Sequence, residues 1–309
     1  MSFLTNKRIV VLKGGPGSER EISHASAAGV VGALKKLGAE VIDLDVTGPG
    51  FDLPSKVDFV FNIIHGTFGE DGQVQRELEA RGVPYTGEGV QGSELAFDKL
   101  KAKARFVERG VPTAKFEIVA AGVMPSLPLP YVIKAPCEGS SVGVFIVKTP
   151  EEAAPAVKAA ASFAKELLVE QFVEGRELTV GILGDLALPI IEIRPRVGFY
   201  DFANKYPFLD PTGQGAADHY CPAALDEAAT LLVQQTALAA KRALDLEVYS
   251  RVDIILRPNG EAVVIEINTI PGMTEASLLP EAAAAAGIGY PQLCERIAEL
   301  SLSRTHDLP

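Results

Sequence analysis

The 309-residue chain has no tryptophan, three methionines and three cysteines. Cys137, Cys221 and Cys294 show no CxxC spacing. That argues against a zinc ribbon or a disulfide framework and fits the reduced thiols of a cytoplasm. No run reaches the ~18 apolar residues that a membrane helix needs. The opening "MSFLTNKR" leads straight towards a strand, without the pattern of a secretory leader, so a cytoplasmic protein is expected. Basic side chains are in short supply, 29 against 40 acidic ones, for a net charge of −11. A protein that grips nucleic acid needs a basic footprint, and this chain has none. The histidines, His24, His65, His219 and His306, are too scattered for a zinc site. With 47% apolar and 22% charged residues, the remainder is that of an ordinary globular protein. Its length suggests two or three domains.

The N-terminal third alternates strand and helix. "RIVVLKGGPGSEREIS" reads as an apolar strand, a Gly-rich turn and a helix start, with Ser18 and Glu21 spaced as a capping box. Ile22, Ala25, Val30, Leu34 and Leu37 trace a helical stripe ending at Gly38. "AEVIDLDV" and "DFVFNIIHG" are further strands, "GQVQRELEARG" a helix and "VPYTG" a short strand. Such alternation predicts an open parallel sheet, with ligands at the carboxyl ends of its strands, where Glu19 and His65 fall. From about residue 89 the character changes to a small α+β block. It holds a basic helix with Lys99, the strand "PLPYVIKAP" with Lys134, the Ser/Gly loop "CEGSSVG", and two strands around Gly175. A helix near Asp226 to Leu244 and an Ala-rich one near Glu281 to Ala285 follow. "KYPFLDPTGQGAADHYCP" lacks periodicity and reads as a long functional loop.

The most informative stretch is "SRVDIILRPNGEAVVIEIN", residues 250–268. Asn259-Gly260 between apolar runs signals a hairpin. A two-residue loop there puts Asp253 opposite Glu266 and Arg251 opposite Asn268. Side chains alternate faces along a strand. Arg251, Asp253, Glu266 and Asn268 therefore share one face, while Val252, Ile254, Ile265 and Ile267 share a core face. Two carboxylates directly opposed destabilise a strand pair, and a hard divalent cation such as Mg²⁺ would remove the conflict. The competing reading is an ordinary solvated face.

Other signals are weaker. Backbone N–H groups of "EGSSVG" suit a phosphate, or the segment is a bare turn. Lys134 among apolar neighbours calls for an anion, or it snorkels. His65 is an active-site group or a satisfied loop histidine. "GGPGSE" lacks the GxGxxG spacing of a dinucleotide fold.

Taken in order, "GGPGSEREIS", "IIHGTFGEDGQVQ", "GVPYTGEGV", "FDKLKAK", "VIKAPCEGSSVGV", "VEQFVEGRELTVGIL", "YDFANKY", "HYCPA", "SRVDIIL" and "EINTIPGMTEASLLP" resemble the D-alanine–D-alanine ligase family of ATP-grasp enzymes, from about residue 8 to 296. The resemblance implies an α/β and α+β ATP-grasp fold. Its expected domains are an N-terminal open-sheet domain over 1–88, a central domain over 89–173 and a C-terminal domain over 174–309. It implies that ATP activates one D-alanine as an acyl phosphate, which the amine of a second D-alanine attacks, for peptidoglycan synthesis. Glu19, with His65 beside it, would hold the first ammonium, and Arg251 and the Gly272 N–H would stabilise developing charge. Asp253, Glu266 and Asn268 would hold two Mg²⁺ ions, or Mn²⁺. Lys99, Lys134 and Lys205 would contact phosphates. Glu170 with the Phe172-Val173 backbone would read adenine, and Glu177 the ribose. Ser277 would take the second carboxylate, and Ser140 with Glu19 and Tyr206 would latch the loop. A homodimer is also implied, with neither nucleic acid nor membrane as partner. The Tyr206–Cys221 segment is longer than the family pattern. The nearest rivals are a D-lactate acceptor, another ATP-grasp ligase, and a nucleotide-binding regulator without turnover; Lys205-Tyr206 favours D-alanine.

Overall fold

Strand β1 (Arg8–Gly14) carries four consecutive fully buried residues, Ile9 to Leu12. A strand apolar on both faces belongs in the middle of a parallel sheet. It does lie there: β2 (Glu40–Val46) and β3 (Phe59–Asn62) pair with it in parallel, in the order β2-β1-β3. The structure is a computed structural model that describes residues 2–196 and 217–304. Helix α1 (Arg20–Lys36) connects β1 to β2, and its last turn ends at Leu37 before Gly38. The expected Ser18 cap is not formed: the helix begins one residue later, with Glu19 at the N-cap and no side-chain cap bond. "VPYTG" is not a strand either; it contributes one parallel bridge, Val60 to Tyr85. Helices α2 (Gln73–Ala80), α3 (Val90–Phe97) and α4 (Lys99–Glu108) lead out of this layer. Asp98 caps α4 by accepting from the Leu100 and Lys101 amides.

Two antiparallel sheets follow. The smaller has the order β4 (Phe116–Ala120), β7 (Glu166–Gln171), β5 (Tyr131–Lys134), β6 (Val144–Val147). Helix α5 (Pro150–Ala160) packs Ala153, Val157 and Ala160 against its Ile133, Val147 and Val169. The larger runs β11 (Ala217–Tyr220), β10 (Ile191–Pro195), β8 (Arg176–Leu183), β12 (Tyr249–Leu256), β13 (Ala262–Asn268), with β9 (Leu186–Ala187) beside β8. Helix α6 (Glu227–Ala243), capped by Asp226, covers it with Val233, Ala237 and Ala240. Helices α7 (Leu278–Ala285) and α8 (Tyr290–Leu302) close the chain. They share one core with β1, β3 and α1, through Leu279, Leu293 and Ile297 against Ile9, Phe61 and Val30. The N-terminal sheet and the C-terminal helices are therefore packed as one body around the seam that holds the site.

The hairpin departs from the expected geometry in two compensating ways. Its loop has three residues, Pro258 to Gly260: the Arg257 N–H donates to the Glu261 carbonyl and the Gly260 N–H to the Arg257 carbonyl, both at 2.9 Å. Gly260 takes a φ of +86°, which closes a three-residue loop at little steric cost. Near the loop the register is one residue off the two-residue expectation, with Ile255 opposite Val263. A bulge between Asp253 and Ile254 then restores it, so Asp253 faces Glu266 and Arg251 faces Asn268. The expected core position of Ile265 is overturned. Val264 is the fully buried partner of Ile254, and Ile265 turns to the cavity face.

Candidate active site

Two cavities meet at β13. The first, of about 310 Å³, lies where the carboxyl ends of β1 and β3 approach the end of β13. It is lined by Glu19, His65, Lys99, Ser140, Arg251, Glu266, Asn268, Gly272 and Ser277 among others. Nine of the expected site residues are therefore brought together. Glu19 is 7% exposed and receives a short hydrogen bond from the Ser140 hydroxyl, 121 residues away in sequence. Its carboxylate is wedged between Gly66 and Gly139: a Cβ on either would overlap Oε2.

His65 is saturated by the protein itself. Its Nδ1 lies 2.9 Å from the Ile270 carbonyl, which can only accept, so Nδ1 carries the proton. Nε2 then accepts from the Ser26 hydroxyl at 3.0 Å, and Ser26 Oγ accepts the Met273 N–H at 3.1 Å. Burial drives the imidazole pKa down, keeping the ring neutral. Glu70, which no sequence signal singled out, accepts from the Gly66 amide at 2.8 Å and the Ile270 amide at 3.3 Å. Desolvation, with Glu19 nearby, pushes its carboxyl up to about 8. The Tyr290 hydroxyl holds the Met273 carbonyl. Segment 270–273 is thus fastened to the N-terminal layer and to α8, with Gly272 inside it. Ser277 stands close by, its Oγ 3.0 Å from the Thr274 N and 2.7 Å from the Thr274 hydroxyl.

On the hairpin, Arg251 grips Asp253 with two bonds, 2.9 and 2.8 Å, and the Thr179 hydroxyl donates to the same carboxylate at 2.6 Å. Lys99 Nζ stands 3.5 Å from Glu266 Oε2 and donates to the Glu138 carbonyl at 2.7 Å. Each of the opposed carboxylates is therefore balanced by a cation, as the electrostatic conflict requires. Asp253, Glu266 and Asn268 offer oxygen donors alone, which fits Mg²⁺ or Mn²⁺. Among the described residues no three His, Cys, Asp or Glu side chains gather round one point. An ion here would complete its shell from Asn268, water and substrate oxygens.

The second cavity, of about 890 Å³, lies between the two antiparallel sheets. Lys134, Glu170, Phe172, Val173, Glu177, Asp253 and Glu266 line it, with Val132, Ile146, Ile255 and Ile265 as apolar walls. Glu170 is 2% exposed and lies between two lysines, Lys134 and Lys103, the latter at 2.5 Å. Burial opposes its charge, but the two ammonium groups prevail and hold its carboxyl below the usual range. The Phe172 N–H is given to the Pro130 carbonyl at 3.0 Å. Lys205 and Tyr206 lie outside the described residues. Lys103, Thr179 and Ser26, like Glu70, were not anticipated; each gains its meaning from partners distant in sequence.

Two family models match this chain: the one described as D-ala D-ala ligase N-terminus over residues 47–88, and D-ala D-ala ligase C-terminus over residues 102–299. A D-alanine–D-alanine ligase of Methylacidiphilum infernorum (isolate V4) is 47% identical over 298 residues, 96% of each chain. The crystal structure of the D-alanine–D-alanine ligase from Bacillus anthracis matches with a TM-score of 0.85 at 32% identity, covering 96% of this chain and 97% of that one. Its complex with ATP matches at 0.82 and 33% identity, with the same coverage. These likenesses run through every sheet that lines the two cavities, and the chain belongs to the D-alanine–D-alanine ligase family.

Proposed function

We propose that this chain joins two D-alanines into D-alanyl-D-alanine, with ATP as co-substrate, for peptidoglycan synthesis. The supporting observation is that Glu266 lines both cavities. A nucleotide in the larger and a small carboxylate in the smaller would meet at that side chain.

In this reading the purine lies between Val132, Ile146, Ile255 and Ile265. The Phe172 carbonyl and Val173 amide face its edge, beside the pinned Glu170, and Glu177 takes the ribose hydroxyls. Lys99, Lys134 and the amides of the Ser/Gly loop hold the phosphates, with Lys205 added from outside the described residues. Asp253, Glu266 and Asn268 would hold Mg²⁺, which when bound neutralises phosphate charge during transfer. The first D-alanine places its ammonium on Glu19 as a charge-assisted pair. Its carboxylate oxygen forms a bond to the γ-phosphorus as the bond to the ADP oxygen breaks. The second D-alanine, its carboxylate on Ser277, attacks the resulting acyl phosphate with its free amine. Arg251 and the Gly272 N–H stabilise the oxyanion, each such donor being worth ~3 kcal/mol. The carbon–oxygen bond to phosphate then breaks, the departing phosphate takes up the proton that the amine sheds, and the dipeptide remains. Neutral His65, its Nδ1 proton committed to the Ile270 carbonyl and its Nε2 accepting from Ser26, holds segment 270–273, and so Gly272, in place. Ser140 on Glu19, with Tyr206, closes the site against water, which would hydrolyse the acyl phosphate.

We assign the two ATP-grasp domains to 89–173 and 174–309, behind the 1–88 domain, and expect a cytoplasmic homodimer; no described helix is long and apolar enough to cross a membrane. The test is phosphate release from ATP with a panel of D- and L-amino and hydroxy acids. Release with D-alanine alone supports the reading. Release that requires D-lactate as second substrate points to a depsipeptide ligase, and none with any acid to a nucleotide-binding regulator.

A further inference from the structure

Lys103 is buried to 1% exposure on α4, one turn beyond Lys99. Its ammonium has three protons and three acceptors: Glu170 Oε1 at 2.5 Å, Thr113 Oγ1 at 2.5 Å and the Val264 carbonyl at 3.2 Å. The Val264 carbonyl also accepts from the Thr113 hydroxyl at 2.9 Å, and the Val264 N–H donates to the Pro112 carbonyl at 2.8 Å. Val264 immediately precedes Ile265, the residue left unpaired by the bulge. A bulge interrupts the ladder locally, so bonds from outside the ladder must orient the 264–265 peptide. Lys103 and segment 112–113 supply them. That peptide decides that Ile265 and Glu266 project into the cavities. At its other contact, Lys103 fixes the carboxylate that also holds Lys134.

We propose that Lys103 is a positioning residue that couples the base end of the nucleotide site to the carboxylate end. One ammonium sets both the Glu170–Lys134 pair, under the purine and phosphates, and the bulge that aims Glu266. This rests on the nucleotide reading of the larger cavity. It has a consequence that independent subsites would not show: nucleotide affinity and Mg²⁺ dependence should change together when Lys103 loses its charge. The substrate amino acid, bound through Glu19 and Ser277, should not notice.

The experiment compares wild type, Lys103→Met, and Lys101→Met on the exposed side of the same helix. Mg·ADP binding is measured by calorimetry across a series of Mg²⁺ concentrations, together with KM for ATP and for D-alanine. In Lys103→Met the Kd for Mg·ADP, the KM for ATP and the half-activating Mg²⁺ concentration should all rise, on the order of 10- to 100-fold, the equivalent of losing one buried hydrogen bond to a charged group. The KM for D-alanine should stay within about twofold, the sign of an interaction confined to the nucleotide. Lys101→Met should match wild type. A Lys103→Met protein that melts earlier but keeps its Mg²⁺ dependence and its ratio of KM values would overturn the proposal, leaving Lys103 a purely structural residue. Should Lys103→Met fail to fold, Thr113→Val decides. It removes one acceptor of Lys103 and one donor to Val264, and unchanged Mg·ADP binding in it would equally overturn the assignment. The calorimetric arm needs no turnover. A wild type that binds Mg·ADP but releases no phosphate with D-alanine therefore counts against the ligase reading alone.

Discussion

Gly139→Ala separates what the fold needs from what the site needs. A Cβ at this position would stand 3.0 Å from Cδ and 3.2 Å from Oε1 of Glu19, and closer still to Oε2. Carbon atoms pack at about 3.5–4.0 Å, so the carboxylate must retreat by roughly 1 Å. The atom that gives way is the far end of a flexible side chain, so folding should tolerate the change. Moving aside breaks its bond to Ser140. The ammonium of the first D-alanine would then be held off its working position. A misplacement of about 1 Å costs ~10²-fold in rate, or about 2.7 kcal/mol. The assay is D-alanine-dependent phosphate release at saturating Mg·ATP, with thermal melting in parallel. We expect kcat/KM for D-alanine to fall about a hundredfold, with the melting temperature nearly unchanged. Gly32→Ala, in α1 with nothing within 4 Å of its Cβ, is the control; it should gain about 1 kcal/mol in stability and keep full activity. Wild-type kcat/KM in Gly139→Ala would show that Glu19 does not contact the substrate and would refute the reasoning.

Other expectations follow from the same geometry. Glu266→Gln removes the charge that serves both cavities and should abolish Mg·ATP-dependent phosphate release while leaving the circular dichroism spectrum unchanged; retained turnover would defeat the metal assignment. Ser26→Ala strips the Met273 N–H of its acceptor and His65 of its donor, so urea unfolding should show a loss of about 1–3 kcal/mol and kcat should drop as Gly272 loses its anchor. Glu88, buried and accepting from the Glu247 and Val248 amides at 2.8 and 2.7 Å, is raised by desolvation to about 7. A carboxyl with a raised folded pKa contributes its full stability below about pH 4.5 and loses it as pH climbs through about 7, on the order of 3 kcal/mol in all. Glu70 adds a loss of the same sign up to about 8. These two carboxyls lower the unfolding free energy as pH rises from 5 to 8, while His65, whose pKa burial lowers, acts in the opposite sense below its ordinary value of 6.5; Glu88→Gln should therefore remove part of the fall, and an identical pH dependence in the variant would contradict the burial argument.

What could be read beforehand was whatever local periodicity encodes. The parallel sheet was legible because strands and helices alternate through the N-terminal third, and the helix expected near Asp226 to Leu244 is present as α6. Ser18 failed as a cap because the capping pattern is local, whereas Glu19 is drawn into the cavity by Ser140, a partner from another layer. The hairpin is the more instructive case. Asn259-Gly260 signalled the turn, but proline at position 258 went with a three-residue loop, and left alone that shift would have moved Glu266 out of register with Asp253. The bulge undoes it. Nothing in "AVVIEIN" announces a bulge, because the bonds that hold it come from Lys103, 161 residues away, and from Pro112 and Thr113. In the sequence Lys103 is one more cation of a basic helix, indistinguishable from the exposed Lys101. Reading the opposed carboxylates correctly thus depended on two departures that cancel. The cancellation has a physical basis: Asp253 and Glu266 are each matched to a cation, Arg251 and Lys99, and only the restored register lets both pairs form on one face. A strand slipped by one residue would carry Glu266 to the other face of the sheet, into the apolar layer beneath α6, without Lys99. The charges that make the site useful are then also what selects the bulged register over the regular one. Replacing Glu266 by an apolar residue should weaken that selection, measurable as faster amide exchange at Val264 and Ile267; unchanged exchange would show that Lys103 and segment 112–113 hold the bulge without help from the site.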